Sequence, residues 1–325
     1  MRLDLAIDVG AAADLDMPIA LAVTVYLPAP DILPTRPVAI FAAPGGGYSR
    51  HYFDLRIDGH PDYSEADYHV ARGTIYVTID HIGVGDSTIP ELSRIDFQTL
   101  AATHDAAVRA LADMLRNGTL TERFPPVPDL FTIGMGQSMG GGVTTLAQGR
   151  FATFDAIAPC GVSAIHTVLP QPTADKVDAG KARFARVDDR SSHETVSHDG
   201  VDYVYPFHWE DVPAYILALD MAGGYPIRQT APPFGSLTIP HIAVQMMTPG
   251  CFAADAARVS VPVLIANGER DTCPNPHAEA AAYPASPDVS ILIVPRMAHM
   301  HNFASTRALL WERLHRWSRM VSQPV

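Results

Sequence analysis

The sequence predicts an α/β architecture: a mostly parallel central sheet flanked by helices on both faces and carrying a large insertion. Three observations predict it. Short apolar runs alternate with helix-compatible segments along most of the 325 residues, as strands and helices do when wound about one parallel sheet. The run Leu130-Phe131-Thr132-Ile133-Gly134-Met135 leads directly into Gly136-Gln137-Ser138-Met139-Gly140, a serine flanked by glycines where a strand would meet a helix. From about residue 163 to 248 the alternation stops, and the chain becomes rich in Pro, Gly, His and aromatic residues.

Taken in order, Pro18 to Pro28 is β-rich and bounded by prolines, an early strand. Pro37 to Ala43 is a short apolar run suited to a strand buried on both faces, and Gly73 to Asp80 is the next one. A helix is expected over about Asp96 to Arg116, with Ala107, Leu111, Met114 and Leu115 as its apolar positions. Then come the strand before Ser138, a helix from about Met139 to Gly149, and a strand at Ala156 to Cys160. Val261 to Asn267 and Val289 to Val294 read as strands, and a helix from about Ser305 to Met320 closes the chain. This divides the chain into a core, 1–162 and 249–325, and a cap or lid, 163–248, with a helical piece around Val212 to Met221. Such an insertion would cover the carboxyl end of the sheet, where open α/β sheets bind ligands.

Composition narrows the function classes. Hydrophobic residues make up 47% and charged residues 18%, ample material for a large core. The net charge, 23 − 35 = −12 with no basic cluster, opposes nucleic-acid or anionic-membrane binding. Cys160, Cys251 and Cys273 are odd in number and widely spaced, so neither a disulfide framework nor a cysteine metal site is expected; they read as buried reduced thiols. The N-terminus lacks a basic region followed by an apolar one, and no stretch approaches the roughly 20 apolar residues of a membrane span. The expectation is a soluble, cytoplasmic protein without membrane insertion, for which a homodimer stays open.

The chemistry gathers around Ser138. A tight strand-to-helix turn strains the serine backbone and excludes side chains at the flanking positions. It also presents the hydroxyl at a helix N-terminus, where N–H groups and the dipole favour negative charge. A serine hydroxyl needs a base, and the base needs an orienting acid. Gly268-Glu269-Arg270-Asp271 follows one late strand and Pro295-Arg296-Met297-Ala298-His299-Met300-His301 follows the last, giving the chain order Ser138, Asp271, His299. Glu269 competes with Asp271 but sits closer to the strand end and should point differently. His299 is favoured over His301, which comes later in the loop and is left to support the site or the substrate pocket. Acyl transfer also needs N–H donors for the oxyanion. Met139, next after the serine, is one; the other is expected from Pro44-Gly45-Gly46-Gly47-Tyr48, with Gly46 and Gly47 both open. A phosphate-binding loop is the rival reading of these glycines, but neither GxxxxGK[ST] nor a GxGxxG in strand-to-helix setting is present.

These residues together resemble the α/β-hydrolase superfamily, and within it the serine carboxylesterases, over nearly the whole chain. Asp80-His81-Ile82-Gly83-Val84-Gly85-Asp86-Ser87 is similar to the family's D-x-x-G-x-G-x-S loop, and Gly45-Gly46-Gly47 to its H-G-G-G loop, with Pro44 in place of the histidine. The resemblance implies a serine hydrolase, most often a carboxylesterase. No metal or organic cofactor is expected.

The expected partner is therefore a small or medium hydrophobic ester, cleaved through an acyl-enzyme on Ser138, Asp271 and His299. Acyltransferase, lactonase, thioesterase or amidase chemistry would use the same triad. A non-catalytic protein that binds a small ligand is the remaining alternative. Substrate preference is assigned to the insertion: Phe207, Trp209, Tyr215, Tyr225, Phe234, Met246 and Met247 are pocket candidates, together with Tyr48 and His301.

Overall fold

The computed structural model describes residues 1–178, 202–225 and 228–323. Among them, eight strands form one sheet in the order β1-β2-β4-β3-β5-β6-β7-β8. Their ranges are Arg2–Asp8, Ala20–Tyr26, Val38–Ala43, Ile75–Ile79, Phe131–Gln137, Ala156–Cys160, Val263–Arg270 and Val289–Ala298. β2 pairs antiparallel with β1 and with β4; from β4 to β8 every pairing is parallel.

The side-chain period of two sorts the central strands into two cores. Ala39 and Phe41 of β3 face one layer with Leu100, Leu111 and Leu115 of the helix Phe97–Asn117 and Val143 and Leu146 of the helix Met139–Phe151. Val38, Ile40 and Ala42 face the other, with Ala66 of the helix Glu65–Val70 and Leu310, Trp311 and Leu314 of the helix Arg307–Val321. Each fully buried Leu, Ile or Phe here contributes about 1.5–3 kcal/mol. The helix Phe97–Asn117 starts where the Asp96 carboxylate accepts from Thr99 N at 2.7 Å and stops at Gly118, whose φ is 68°.

Among the elements that went unanticipated are an edge strand and a short helix. β1 carries its large apolar residues, Leu3, Leu5 and Ile7, at alternate positions of an edge strand, pairing from Arg2↔Tyr26 to Asp8↔Ala20. The six-residue helix Glu65–Val70, capped by Ser64, is too short to show helical periodicity. β7 and β8 also run past their apolar segments. Their pairing resumes beyond an irregularity at Gly268, with Arg270 opposite Ala298, so Glu269 and Pro295–Ala298, expected in loops, are strand. Backbone pairing carries them past the apolar runs, with Pro295 and Arg296 exposed and Met297 and Ala298 buried.

The segment 163–248, expected to form an insertion, falls between β6 and β7; residues 179–201 and 226–227 of it are outside the described residues. The remainder holds short helices at Val204–Phe207, Ala214–Met221 and Ile242–Gln245. No helix among the described residues is long and apolar enough to cross a membrane.

Candidate active site

β5 ends at Gln137 and a helix begins at Met139, leaving Ser138 alone to make the turn at φ 55°, ψ −119°. A non-glycine residue held there costs on the order of 1–3 kcal/mol, so the surroundings must impose it. They do so by close approach: a Cβ on Gly136 would fall within the backbone of Gly140, and one on Gly140 would run into the Ala43 carbonyl. Ser138 N donates to Cys160 O at 2.8 Å, tying the turn to β6.

The strand ends of β7 and β8 bring two further residues to this turn. His299 Nε2 stands 2.9 Å from Ser138 Oγ, and His299 Nδ1 stands 2.7 Å from Asp271 Oδ1. Asp271 is buried and takes four donors: His299 Nδ1 and Thr272 N (2.7 Å) on Oδ1, Gly268 N (2.8 Å) and His301 Nε2 (2.6 Å) on Oδ2. Burial alone would raise the Asp271 carboxyl, but the facing His301 and His299 and their hydrogen bonds outweigh it and hold the group well below the usual carboxylate range. An acceptor-only carboxylate fixes the tautomer: His299 Nδ1 carries the proton, leaving Nε2 as an acceptor toward the serine. Gly161, at φ 59°, lies against this pair; a Cβ there would sit 3.1 Å from His299 Nδ1 and 3.2 Å from Asp271 Oδ1.

The His299 loop hangs on the β6–β7 interval. His299 N and Met300 N donate to the Pro206 and Phe207 carbonyls, both at 2.9 Å, and the Phe207 ring lies 5.2 Å from the imidazole. Gln137 Nε2 fixes the loop from the other side by donating to His299 O at 2.7 Å.

The glycine loop after β3 closes the site. A Cβ on Gly45 would come 3.2 Å from Ser138 Cβ, whereas one on Gly46 would meet Ala243 and Ile239 of the β6–β7 interval. His81, pushed down to about 4 by burial and therefore neutral, sits with Nε2 2.8 Å from Pro44 O. Arg50 donates to Asp80 through its N (2.5 Å) and its guanidinium (2.6 Å). The Asp80–Ser87 segment thus anchors both ends of the glycine loop. Across the gap, Tyr225 Oη donates to Gly46 O at 3.3 Å and Ser236 N to Gly47 O at 3.0 Å. Met139 is the first residue of its helix, where backbone N–H groups have no intrahelical partner.

Of the expected pocket residues, Phe207 lies against the His299 imidazole. Tyr48 is fully buried, its hydroxyl 2.9 and 2.8 Å from the two oxygens of Asp220. His301 is buried on Asp271. Trp209 lies under the Arg270 guanidinium at 4.6 Å. Tyr215 is 56% exposed, stacks on His60 and lines an open surface cleft with Arg56 and Asp58. Sequence reasoning missed Asp220, His208 and Arg228, a buried group in which His208 Nε2 (2.8 Å) and Arg228 Nη2 (3.1 Å) meet the Asp220 carboxylate. Nothing in their spacing links them to Tyr48. The thiols of Cys160, Cys251 and Cys273 are free, and among the described residues no group of three or more His, Cys, Asp or Glu could hold a metal ion.

No family model and no curated protein matches the sequence. Solved structures do. A thermophilic esterase from Thermogutta terrifontis is similar at 14% identity and TM-score 0.59, covering 99% of this chain and 100% of its own. Proline iminopeptidase from Mycobacterium smegmatis is 15% identical with TM-score 0.64, covering 98% and 99%. A bromoperoxidase from Bacillus anthracis is 15% identical with TM-score 0.62, covering 98% and 100%. At these identities the likeness is one of fold.

Proposed function

We propose that this chain, an α/β-hydrolase by fold, is a serine hydrolase that cleaves small to medium hydrophobic carboxylic esters. The observation that carries the reading is the continuous chain Ser138 Oγ, His299, Asp271 at 2.9 and 2.7 Å, with the serine held at φ 55°. Ser138 Oγ attacks the ester carbonyl as His299 Nε2 takes its proton, and Asp271 stabilises the resulting imidazolium. The oxyanion is received by the N–H of Met139 and an N–H of the glycine loop at Gly46 or Gly47. Gly45 packs its Cα against the Gln137 and Ser138 side chains, an approach that a Cβ would block. His299 then protonates the leaving alcohol, and water activated by the same imidazole releases the acid. The β6–β7 interval acts as the cap that selects the ester, with Phe207 beside the reacting imidazole.

A p-nitrophenyl ester chain-length series, run with a fluorophosphonate probe on wild type and Ser138→Ala, tests this. The expected result is labelling and turnover in wild type, both absent in the variant. Turnover near wild type in Ser138→Ala would overturn the reading.

A further inference from the structure

Asp271 carries two histidines, and the reaction just described uses one. His301 Nε2 lies 2.6 Å from Asp271 Oδ2, shorter than the 2.7 Å of the His299 contact. Because the carboxylate can only accept, His301 Nε2 is a donor, which leaves Nδ1 as the nitrogen able to gain or lose a proton. That Nδ1 is buried with no hydrogen-bond partner among the described residues. His301 also lines a cavity of about 10 Å³, room for roughly one water, together with Glu65, Gln137 and Asn302 among others.

We propose that His301 is a positioning residue that acts through Asp271, holding its second oxygen and drawing charge from it so that His299 is neither free to turn nor over-stabilised as a cation. The proposal rests on the reading of Ser138, His299 and Asp271 as the reacting set. Without His301, Asp271 Oδ2 keeps only Gly268 N, and rotation about the carboxyl would disturb the face that orients His299. A histidine serves here because its ring spans the distance rigidly and joins Asp271 to the cavity. The titratable groups around it are few. Asp271 and His299 face it from the ends of β7 and β8, Glu65 from the helix Glu65–Val70, Tyr52 from the segment after the glycine loop, and Cys160 from the end of β6. Burial pushes Tyr52 and Cys160 far up, so both stay neutral; Asn302 Nδ2 donates to Glu65 Oε2 at 2.9 Å.

The test compares kcat, KM and the pH profile of p-nitrophenyl ester hydrolysis for wild type, His301→Leu and His301→Gln, with folding checked by thermal melts. His301→Leu removes the donor and keeps bulk. Its kcat is expected to fall about 10- to 100-fold with KM little changed. The acid limb should move to higher pH, because an Asp271 stripped of one donor stabilises the His299 imidazolium more strongly. His301→Gln, whose Nε2 can reach the carboxylate, should recover most of the loss and return the limb toward wild type. A purely structural role would lower the melting temperature without moving that limb. In ¹⁵N-histidine-labelled wild type, two imidazole N–H protons should resonate well downfield, and His301→Gln should remove one. That spectrum decides the matter even where the Leu variant fails to fold: a single downfield imidazole proton in wild type overturns the proposal. An active wild type whose Leu variant matches it in kcat and acid limb overturns the proposal alone, whereas an inert wild type, unlabelled at Ser138, overturns the triad reading with it.

Discussion

The Tyr48 hydroxyl rests on both oxygens of the Asp220 carboxylate, at 2.9 and 2.8 Å, and both residues are fully buried. Tyr48 is the residue immediately after Gly45-Gly46-Gly47, and Asp220 belongs to the helix Ala214–Met221 of the β6–β7 interval. The contact therefore fastens the glycine loop beside Ser138 to the segment that would select the substrate.

Asp220 also neutralises Arg228, which has no exposed side-chain surface. Asp220→Ala should lower the unfolding free energy by about 3–5 kcal/mol, because it leaves a buried cation uncompensated. Tyr48→Phe keeps the ring packing and loses only the hydroxyl, so its cost should be about 1–3 kcal/mol. Urea denaturation of both variants checks the order. Equal losses would mean that the charge pair is not what the tyrosine completes.

Backbone strain at Ser138 should be visible in stability. Ser138→Gly relieves φ 55° and should raise the unfolding free energy by about 1 kcal/mol while abolishing turnover. Ser138→Ala abolishes turnover without that gain. Paired denaturation curves separate the two effects.

Gly161→Ala places a methyl group 3.1 Å from His299 Nδ1 and 3.2 Å from Asp271 Oδ1, at a φ of 59°. Misplacing a catalytic pair by a few tenths of an ångström to 1 Å can cost up to about 10²-fold. A kcat loss of about 10- to 100-fold is expected, with a stability loss of about 1–2 kcal/mol. Steady-state kinetics at saturating ester would reveal an unaffected kcat, which would contradict the close contact.

His81 and His104 are both buried and held neutral, down to about 4 and about 3, chiefly by burial. An unfolded histidine titrates near 6.5. Between pH 6.5 and about 4 the unfolded chain therefore binds more protons than the folded one at these two sites, so stability falls as pH falls. Each histidine contributes about 1.4 kcal/mol per pH unit within that window. His104→Gln should flatten the slope by close to one proton in urea titrations at several pH values, and an unchanged slope would refute it.

How much of this was legible depended on whether a residue's partner was near in sequence or set by the sheet. β3 to β8 were readable because apolar runs mark strands of a parallel sheet, β2 because its β-rich run is bounded by prolines, and the Gly136–Gly140 turn because its sterics are local. Asp271 and His299 could be named because strand order carries both to one edge. β1 escaped because an edge strand shows only Leu3, Leu5 and Ile7 in alternation. The Tyr48, His208, Asp220 and Arg228 group escaped for a different reason: four positions up to 180 residues apart converge only after the chain has folded. The place of His301 was half legible. The spacing to His299 suggested a shared site, but only the fold turns it toward the acid.

The Pro206 and Phe207 carbonyls that hold the backbone of His299 and Met300 have a consequence for engineering. A designer who grafts a foreign segment between β6 and β7 to change substrate range would also replace the hook from which the His299 backbone is suspended. Grafts that preserve the carbonyl pair at 206 and 207, at the end of the short helix Val204–Phe207, should keep turnover while altering selectivity. Grafts that omit it should lose both together, however well the new pocket fits its ester.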